Sequence, residues 1–222
     1  METTEELSDL IARTRPVILE ILREQGYDTK PYDSQSPADI AGLSLSGPNA
    51  LRIRLYAKEG PDGSEAPTKR AQVFYWVFEK VKMSLGRRVE ELWDTDSYKE
   101  NAADQSTDEA IVILNEPLHD AFHASAIQQW LTNKRRIVFY SIKQLISNPS
   151  KHILQPKFRK IPASDSQLLT NLRLKTKKNL PLIKFHVDIM SRVLGLVPDD
   201  IVEIIRPSPT AGDYKMYRIC SL

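Results

Sequence analysis

Two histidines stand four residues apart with an acid between them in His119-Asp120-Ala121-Phe122-His123. On one helix face such a pair can hold zinc, as in metalloproteases. A catalytic zinc also needs a third protein ligand and a base aimed at the bound water. The other histidines, His152 and His186, lie well downstream, and Asp120 is shorter than the glutamate that usually serves as base. The pair is expected to be one face of a helix. A nuclease would place an acid and, two residues on, a lysine along a strand to hold magnesium. After the strand-like run Ala71–Phe78 the acid is Glu79, and two places on stands Val81. Cys220, the single cysteine, has no histidine beside it in sequence and is expected to be inert. No catalytic residue, metal or cofactor is expected.

A different chemistry is carried by Ile204-Ile205-Arg206-Pro207-Ser208-Pro209-Thr210-Ala211-Gly212. Apolar, strand-like sequence runs into it and out of it. Pro207 and Pro209 fix φ and withhold two amide donors, which discourages stray strand pairing. Gly212 can take φ > 0 and close a turn. Arg206, and Arg218 beyond it, can bind carboxylates or carbonyls through a planar fork. Ser208 and Thr210 can cap a turn or a neighbouring helix. A rigid loop bearing directional donors loses little entropy on docking. Two readings stay open from the residues alone: the closing turn of a C-terminal hairpin with Arg206 in solvent, or a docking surface.

The elements that must position these residues follow from periodicity. Leu7, Leu10, Ile11, Val17, Ile18, Ile21 and Leu22 recur at helical spacing, with Gly26 as a stop. Pro16 inside the run either kinks the helix or begins a second one. Residues 28–50 read as loop from their Pro, Ser, Asp and Gly. Strands are expected at Ala50–Ala57, Ala71–Phe78, Glu109–Leu114 and Arg135–Tyr140, and helices at Glu79–Trp93 and Leu118–Leu131. That alternation predicts an α/β layer. Asn148-Pro149-Ser150 is a boundary, dividing the chain into residues 1–149 and 150–222. Beyond it come a short extended piece through Phe158 and an amphipathic helix over Ser164–Asn179. A short helix at Asp188–Gly195 and two terminal strands follow. No repeat is found.

The chain has 222 residues, 41% apolar and 27% charged, as in ordinary soluble domains. No run approaches the ~20 apolar residues of a membrane span. The N-terminus METTEELSDL is acidic and has no apolar core, so no secretory or mitochondrial address is expected. One cysteine allows no internal disulfide and fits a reducing compartment. The net charge of +2 hides an asymmetry. Residues 150–222 carry 13 Lys/Arg against 6 Asp/Glu, and residues 1–149 carry 18 against 23. The acidic part is poorly suited to general DNA binding, because neutralising phosphates supplies most nonspecific affinity. The basic clusters Lys134-Arg135-Arg136, Lys157-Arg159-Lys160 and Arg173-Lys175-Lys177-Lys178 read as solvated faces. Trp76, Trp93 and Trp130 read as core.

The C-terminal third resembles one family. Leu180-Pro181-Leu182-Ile183, Asp188, Arg192, Gly195-Leu196, the run Ile201–Gly212 and Tyr217-Arg218 occur in order and nearly in spacing. They are similar to the pattern of the fifth common subunit of eukaryotic nuclear RNA polymerases, a family with an archaeal counterpart. Upstream, His152-Ile153-Leu154-Gln155-Pro156-Lys157-Phe158 follows the family's H-x-L-V-P-x-H, with Phe158 at the second histidine. Asp188-Ile189 replaces the family's D-P, with one extra residue before it. The family's jaw loop, T-P-S-A, is not recoverable from Pro117–Ala126. Over residues 7–150 the match is faint.

The resemblance implies an α/β (α+β) protein. Its N-terminal jaw domain would have a restriction-endonuclease-like layout, and its small C-terminal assembly domain would be mixed α/β. It implies a non-catalytic subunit of a DNA-dependent RNA polymerase, anchored on the largest subunit, touching other polymerase subunits and forming part of the lower jaw near downstream DNA, located in the nucleus, in the nucleolus if specific to polymerase I, or in a virion or the cytoplasm if viral. Downstream DNA is a weak contact at most, and neither a membrane nor a small-molecule substrate is expected. The implied assembly interface is His152, Pro156, Pro181, Arg206, Pro207, Ser208, Thr210, Ala211, Gly212, Tyr217 and Arg218. A diverged jaw beside an intact anchor suggests service to one polymerase class, or to a viral polymerase. The rival reading is a stand-alone nucleic-acid-binding adaptor that reuses the basic C-terminal part.

Overall fold

The computed structural model describes residues 4–57, 69–94, 108–162, 168–208 and 212–222. It is a mixed α/β protein with two mixed sheets in two units, Met1–Asn148 and Pro149–Leu222.

The first unit opens with α1, Thr4–Glu24, continuous through Pro16. Its buried stripe is Leu7, Ile11, Ile18, Ile21 and Leu22, the helical pattern of the sequence. Gly26, at φ +97, ends it, and the amides of Gly26 and Tyr27 return to the carbonyls of Arg23 and Leu22. The expected loop over 28–50 contains a second helix, α2, Pro37–Leu45. Ser36 starts it with a capping box. Its hydroxyl accepts from the Asp39 amide at 3.2 Å, and the Asp39 carboxylate accepts from the Ser36 amide at 2.8 Å. Pro37 sits at the first position, where its missing N–H costs nothing.

Four strands form the sheet in the order β1 (Ile53–Tyr56), β2 (Arg70–Trp76), β3 (Glu109–Leu114), β4 (Arg136–Ser141). β1 and β2 are antiparallel; β2, β3 and β4 are parallel. All six residues of β3 and of β4 are buried, so the sequence shows continuous apolar runs rather than alternation. The crossovers carry α3 (Leu85–Asp94) and α4 (Asp120–Asn133). The helix expected from Glu79 begins later: Lys82–Ser84 is a 3-10 turn, and the Val81 amide donates to buried Glu116 at 2.8 Å. Val81, Val89, Leu92, Trp93, Phe122 and Ala126 pack with Ala110, Val112, Leu114, Ile137 and Phe139.

Side chains alternate across a sheet, so Glu109, Ile111 and Ile113 face the other way. Ion pairs gather there: Glu109 meets Arg136 and Lys69 and accepts from the Tyr27 hydroxyl. α1 also contributes a buried arginine. Arg15 donates to the Leu51 carbonyl at 2.7 Å and to Gln35 at 2.9 Å, against the rings of Tyr32 and Tyr75. Burial pushes the Tyr75 phenol up, with Arg15 opposing.

The second unit is a sheet in the order β5 (Lys157–Lys160), β7 (Ile201–Ser208), β8 (Gly212–Ser221), β6 (Leu182–Lys184). β5, β7 and β8 are antiparallel neighbours, and β6 runs parallel to β8. The helix expected over Ser164–Asn179 is not formed as one element. Residues 163–167, which include both proposed caps, lie outside the described residues. Among the described residues of that span only Leu168–Asn171 is α-helical (α5), Arg173 takes φ +53, and Lys177–Asn179 is a 3-10 turn. Leu168, Leu172, Leu174 and Leu180 pack with Ile161, Ile201 and Ile219 from this broken backbone. Covering the sheet fixed their positions more strongly than helical spacing did. α6, Ile189–Val193, begins at Asp188, whose carboxylate accepts from the Met190 amide at 2.8 Å.

Candidate assembly surface

The nine-residue motif is mostly strand. β7 runs on through Ser208, so Arg206 lies opposite Tyr214, Pro207 opposite Asp213 and Ser208 opposite Gly212. Pro209, Thr210 and Ala211 lie outside the described residues. Gly212 adopts φ +69, which glycine enters without strain. Arg206 and Pro207 are exposed, as is every residue from Gly212 to Lys215. β5 pairs with β7 only over Val202–Ile205, and β6 pairs with β8 only over Ile219–Ser221. The hairpin therefore extends past both flanking strands as a two-stranded ribbon.

Arg218 and Tyr217 are tied within the unit. The Arg218 guanidinium donates to the Leu182 carbonyl at 2.9 Å, and the Tyr217 hydroxyl donates to Glu203 at 2.9 Å. Pro181 is exposed, and its carbonyl accepts from the Ile219 amide. His152 is exposed and builds a turn: its Nδ1 accepts from the Leu154 amide at 3.2 Å, its carbonyl from the Gln155 amide at 2.8 Å. Pro156, half-buried, follows that turn into β5. The turn presents Ile153 and Leu154, 93% and 83% exposed. Two adjacent aliphatic side chains in water cost hydrophobic free energy.

Glu203 was not singled out in the sequence. It is the one acid in the apolar run Ile201–Ile205, and that interruption was the available signal. Its buried carboxylate is met from both neighbouring strands: Arg159 at 2.9 Å from β5, Tyr217 at 2.9 Å and Lys215 at 3.8 Å from β8. Burial pushes the carboxyl up, but the Tyr217 hydroxyl and the charges of Arg159 and Lys215 together hold it below the ordinary glutamate value.

The other constellations have structural partners. His119 is the N-cap position of α4, and its ring stacks on Phe122 at 6.5 Å. Among the described residues no three His, Cys, Asp or Glu are grouped to hold a metal. Glu79 pairs with Arg88. Cys220 is buried in β8. Lys134 lies over Trp130 at 5.7 Å and Arg135 over Trp93 at 5.1 Å. Arg136, expected on a solvated face, is buried against Glu109, because the run enters the buried edge strand β4 there. Lys160 pairs with Asp200 at 2.7 Å.

Comparison with known proteins places this geometry. Residues 147–220 match the family model described as RNA polymerase Rpb5, C-terminal domain. An archaeal protein from Pyrococcus abyssi, DNA-directed RNA polymerase subunit Rpo5, is 40% identical over 72 residues, which are 32% of this chain and 87% of that protein. This chain belongs to the Rpb5 family of RNA polymerase subunits. The Rpb5 likeness also extends beyond the second unit. A Dictyostelium discoideum protein, DNA-directed RNA polymerases I, II, and III subunit rpabc1, is 24% identical over 95% of this chain and 96% of its own length. A Caenorhabditis elegans protein, DNA-directed RNA polymerases I, II, and III subunit RPABC1, is 38% identical over 77 residues, which are 34% of this chain and 36% of that protein. The motif residues read from the sequence all fall inside the family match, and the first unit carries the weaker likeness.

Proposed function

We propose that this chain is a nuclear, non-catalytic subunit of a DNA-dependent RNA polymerase. It docks on the largest subunit through residues 149–222 and contributes residues 1–148 to the lower jaw near downstream DNA. The observation that carries the docking is the hairpin of β7 and β8, exposed on both faces beyond its flanking strands. Such a ribbon is marginal alone in water, and a permanent partner would hold it. Arg206, Pro207 and Gly212 lie on it, and Ser208, Thr210 and Ala211 complete its sequence. Tyr217 and Arg218 brace its base, and His152, Pro156 and Pro181 flank the same sheet. The exposed pair Ile153–Leu154 adds an apolar contact.

The adaptor reading is weaker. Several basic residues it would use are engaged with Glu203 and Asp200, and the family relatives carry polymerase subunit names.

The test is native purification of the tagged chain from its source at moderate salt. Stoichiometric recovery with the large polymerase subunits is expected, and recovery alone would overturn the proposal. The largest subunit of a single polymerase class is expected, in line with the diverged jaw segment; those of every class would defeat that narrower reading. The isolated chain is expected to bind duplex DNA weakly, whereas tight binding that falls steeply with salt would favour the adaptor.

A further inference from the structure

Arg15 carries a charge into the interior of the first unit with no acid to meet it. The residue is 1% exposed. Its Nε donates to Gln35 and its Nη1 to the Leu51 carbonyl. Both acceptors are neutral, and these bonds leave further N–H donors of the guanidinium unused. The ring centroids of Tyr32 and Tyr75, 5.7 and 5.9 Å away, attract the cation weakly. Among the described residues no carboxylate forms an ion pair with it. A buried ion held only by neutral groups is costly.

Tyr75 shows the same shortage. Burial pushes its phenol up, so it stays protonated and cannot be the counter-charge. Its buried hydroxyl has no hydrogen-bond partner among the described residues, although Arg15 is close enough for its charge to oppose that rise. Guanidinium and phenol are both donors, so what this place lacks is an acceptor, and the uncompensated charge calls for an anionic one.

The guanidinium end borders an open cavity. Arg15, Tyr32 and Gln35 line a hollow of about 410 Å³ between α1 and the segment leading into α2, within the size range of small-molecule sites. Tyr32 and Gln35 are the groups that flank the guanidinium, so the charged end of Arg15 forms part of that wall. Pro16, Val17 and Ile40 supply apolar wall. Two acids line the hollow as well, and both are engaged elsewhere. Asp33 pairs with Arg23 at 2.6 Å, and Glu20 accepts from Asn148 at 2.8 Å. Their charges disfavour a dianion such as phosphate and leave a single negative charge to be met at Arg15.

We infer that this cavity binds a monocarboxylate with an apolar body, its carboxylate on Arg15 and its body against Pro16, Val17 and Ile40. Guanidinium and carboxylate match in plane and in charge. The site lies within the first unit, goes beyond the subunit reading and does not rest on it. The same chemistry is offered by a free organic acid and by the C-terminal residue of a neighbouring chain.

The probe is benzoate, added at constant ionic strength and followed through the Arg15 Nε–H signal in nuclear magnetic resonance spectra of the free chain. A saturable shift is expected, with Kd on the order of 1 mM, and none with benzamide, the neutral isostere. Equal affinity for benzamide, tighter binding of inorganic phosphate, or no saturable shift by about 20 mM benzoate would each overturn the inference.

Arg15→Met removes the charge and keeps an unbranched side chain. It is expected to fold, because an apolar group relieves the buried charge. It is expected to weaken benzoate binding about tenfold or more, read from the amides of Val17 and Ile40. Unchanged binding would sink the site. Should Arg15→Met not fold, Val17→Trp decides. It fills the hollow from a half-buried position and leaves Arg15 in place, and wild-type affinity for benzoate in that variant would equally sink the site. Recovery with the polymerase separates the two sources. Recovery of folded Arg15→Met at the wild-type level assigns the carboxylate to a free organic acid, and recovery lowered about tenfold or more assigns it to a neighbouring chain. Failure of the wild type to be recovered would sink the subunit reading and leave the benzoate result standing.

Discussion

Glu203 is an acid kept in an apolar strand because both neighbouring strands supply partners for it. Arg159 and Tyr217 lie directly across from it in register on β5 and β8. Its folded carboxyl is held below the ordinary glutamate value, so the unfolded chain takes up its proton first as pH falls. The stability it contributes is therefore fully present above pH 4.5, the ordinary glutamate value, and is lost as pH falls through the lower folded value. Glu203→Gln keeps the shape and removes the charge. Arg159 is largely exposed and can return to water, so the expected loss at pH 7 is modest, about 1–2 kcal/mol. Urea unfolding should show that gap at pH 7 and a progressively smaller one as pH falls below 4.5 and through the lower folded value. A gap independent of pH would mean that ionisation of Glu203 does not carry the loss.

α6 shows how a single cap positions a short element. The helix is one turn and a little more, Ile189–Val193, too short to form from propensity. Asp188 accepts from the Met190 amide and fixes where the turn begins. Asp188→Ala is expected to cost about 1 kcal/mol, read as a lower urea midpoint with unchanged slope. A change below about 0.3 kcal/mol would show that packing of Met190 and Val193 alone holds the turn. Other elements were legible to different degrees for physical reasons. β3 and β4 were plain because burial on both faces demands unbroken apolar runs. α2 was hidden: Ser36-Pro37-Ala38-Asp39 is a start signal, but the Ser, Pro and Gly around it read as loop. The segment after Ser164 was overread, because leucines that cover a sheet can share helical spacing without a helix. The hairpin's strands were legible, but not their length past Arg206, since proline normally ends a strand and Pro207 here stays within β7. Neither the role of Glu203 nor that of Arg15 was visible, because each depends on partners distant in sequence.

At the scale of the whole molecule, the comparisons and the contacts divide the chain at the same place. The archaeal relative's match is confined to one third of this chain yet takes up 87% of that protein's own length. The second unit begins at Pro149, two residues into the family match at residue 147. A fold that serves almost alone in one protein must close its own core. Here that core includes Ile161, Leu168, Leu180, Ile201 and Ile219 on one side of the sheet. A domain of this size buries a smaller fraction of its surface than a larger one and is marginal. Residues 149–222 expressed alone are thus expected to fold cooperatively, with low stability of roughly 3–5 kcal/mol. Cys220 supplies the probe, since it is buried in β8. Its thiol should resist a disulfide reagent in buffer and react at once in denaturant, with the transition coinciding with loss of circular dichroism. A thiol that reacts freely in buffer, or an unfolding curve without a cooperative step, would mean that residues 1–148 are required to complete the fold. In that case the second unit would not be an independent anchor, and truncation of the first unit would abolish recovery with the polymerase by unfolding the docking ribbon itself.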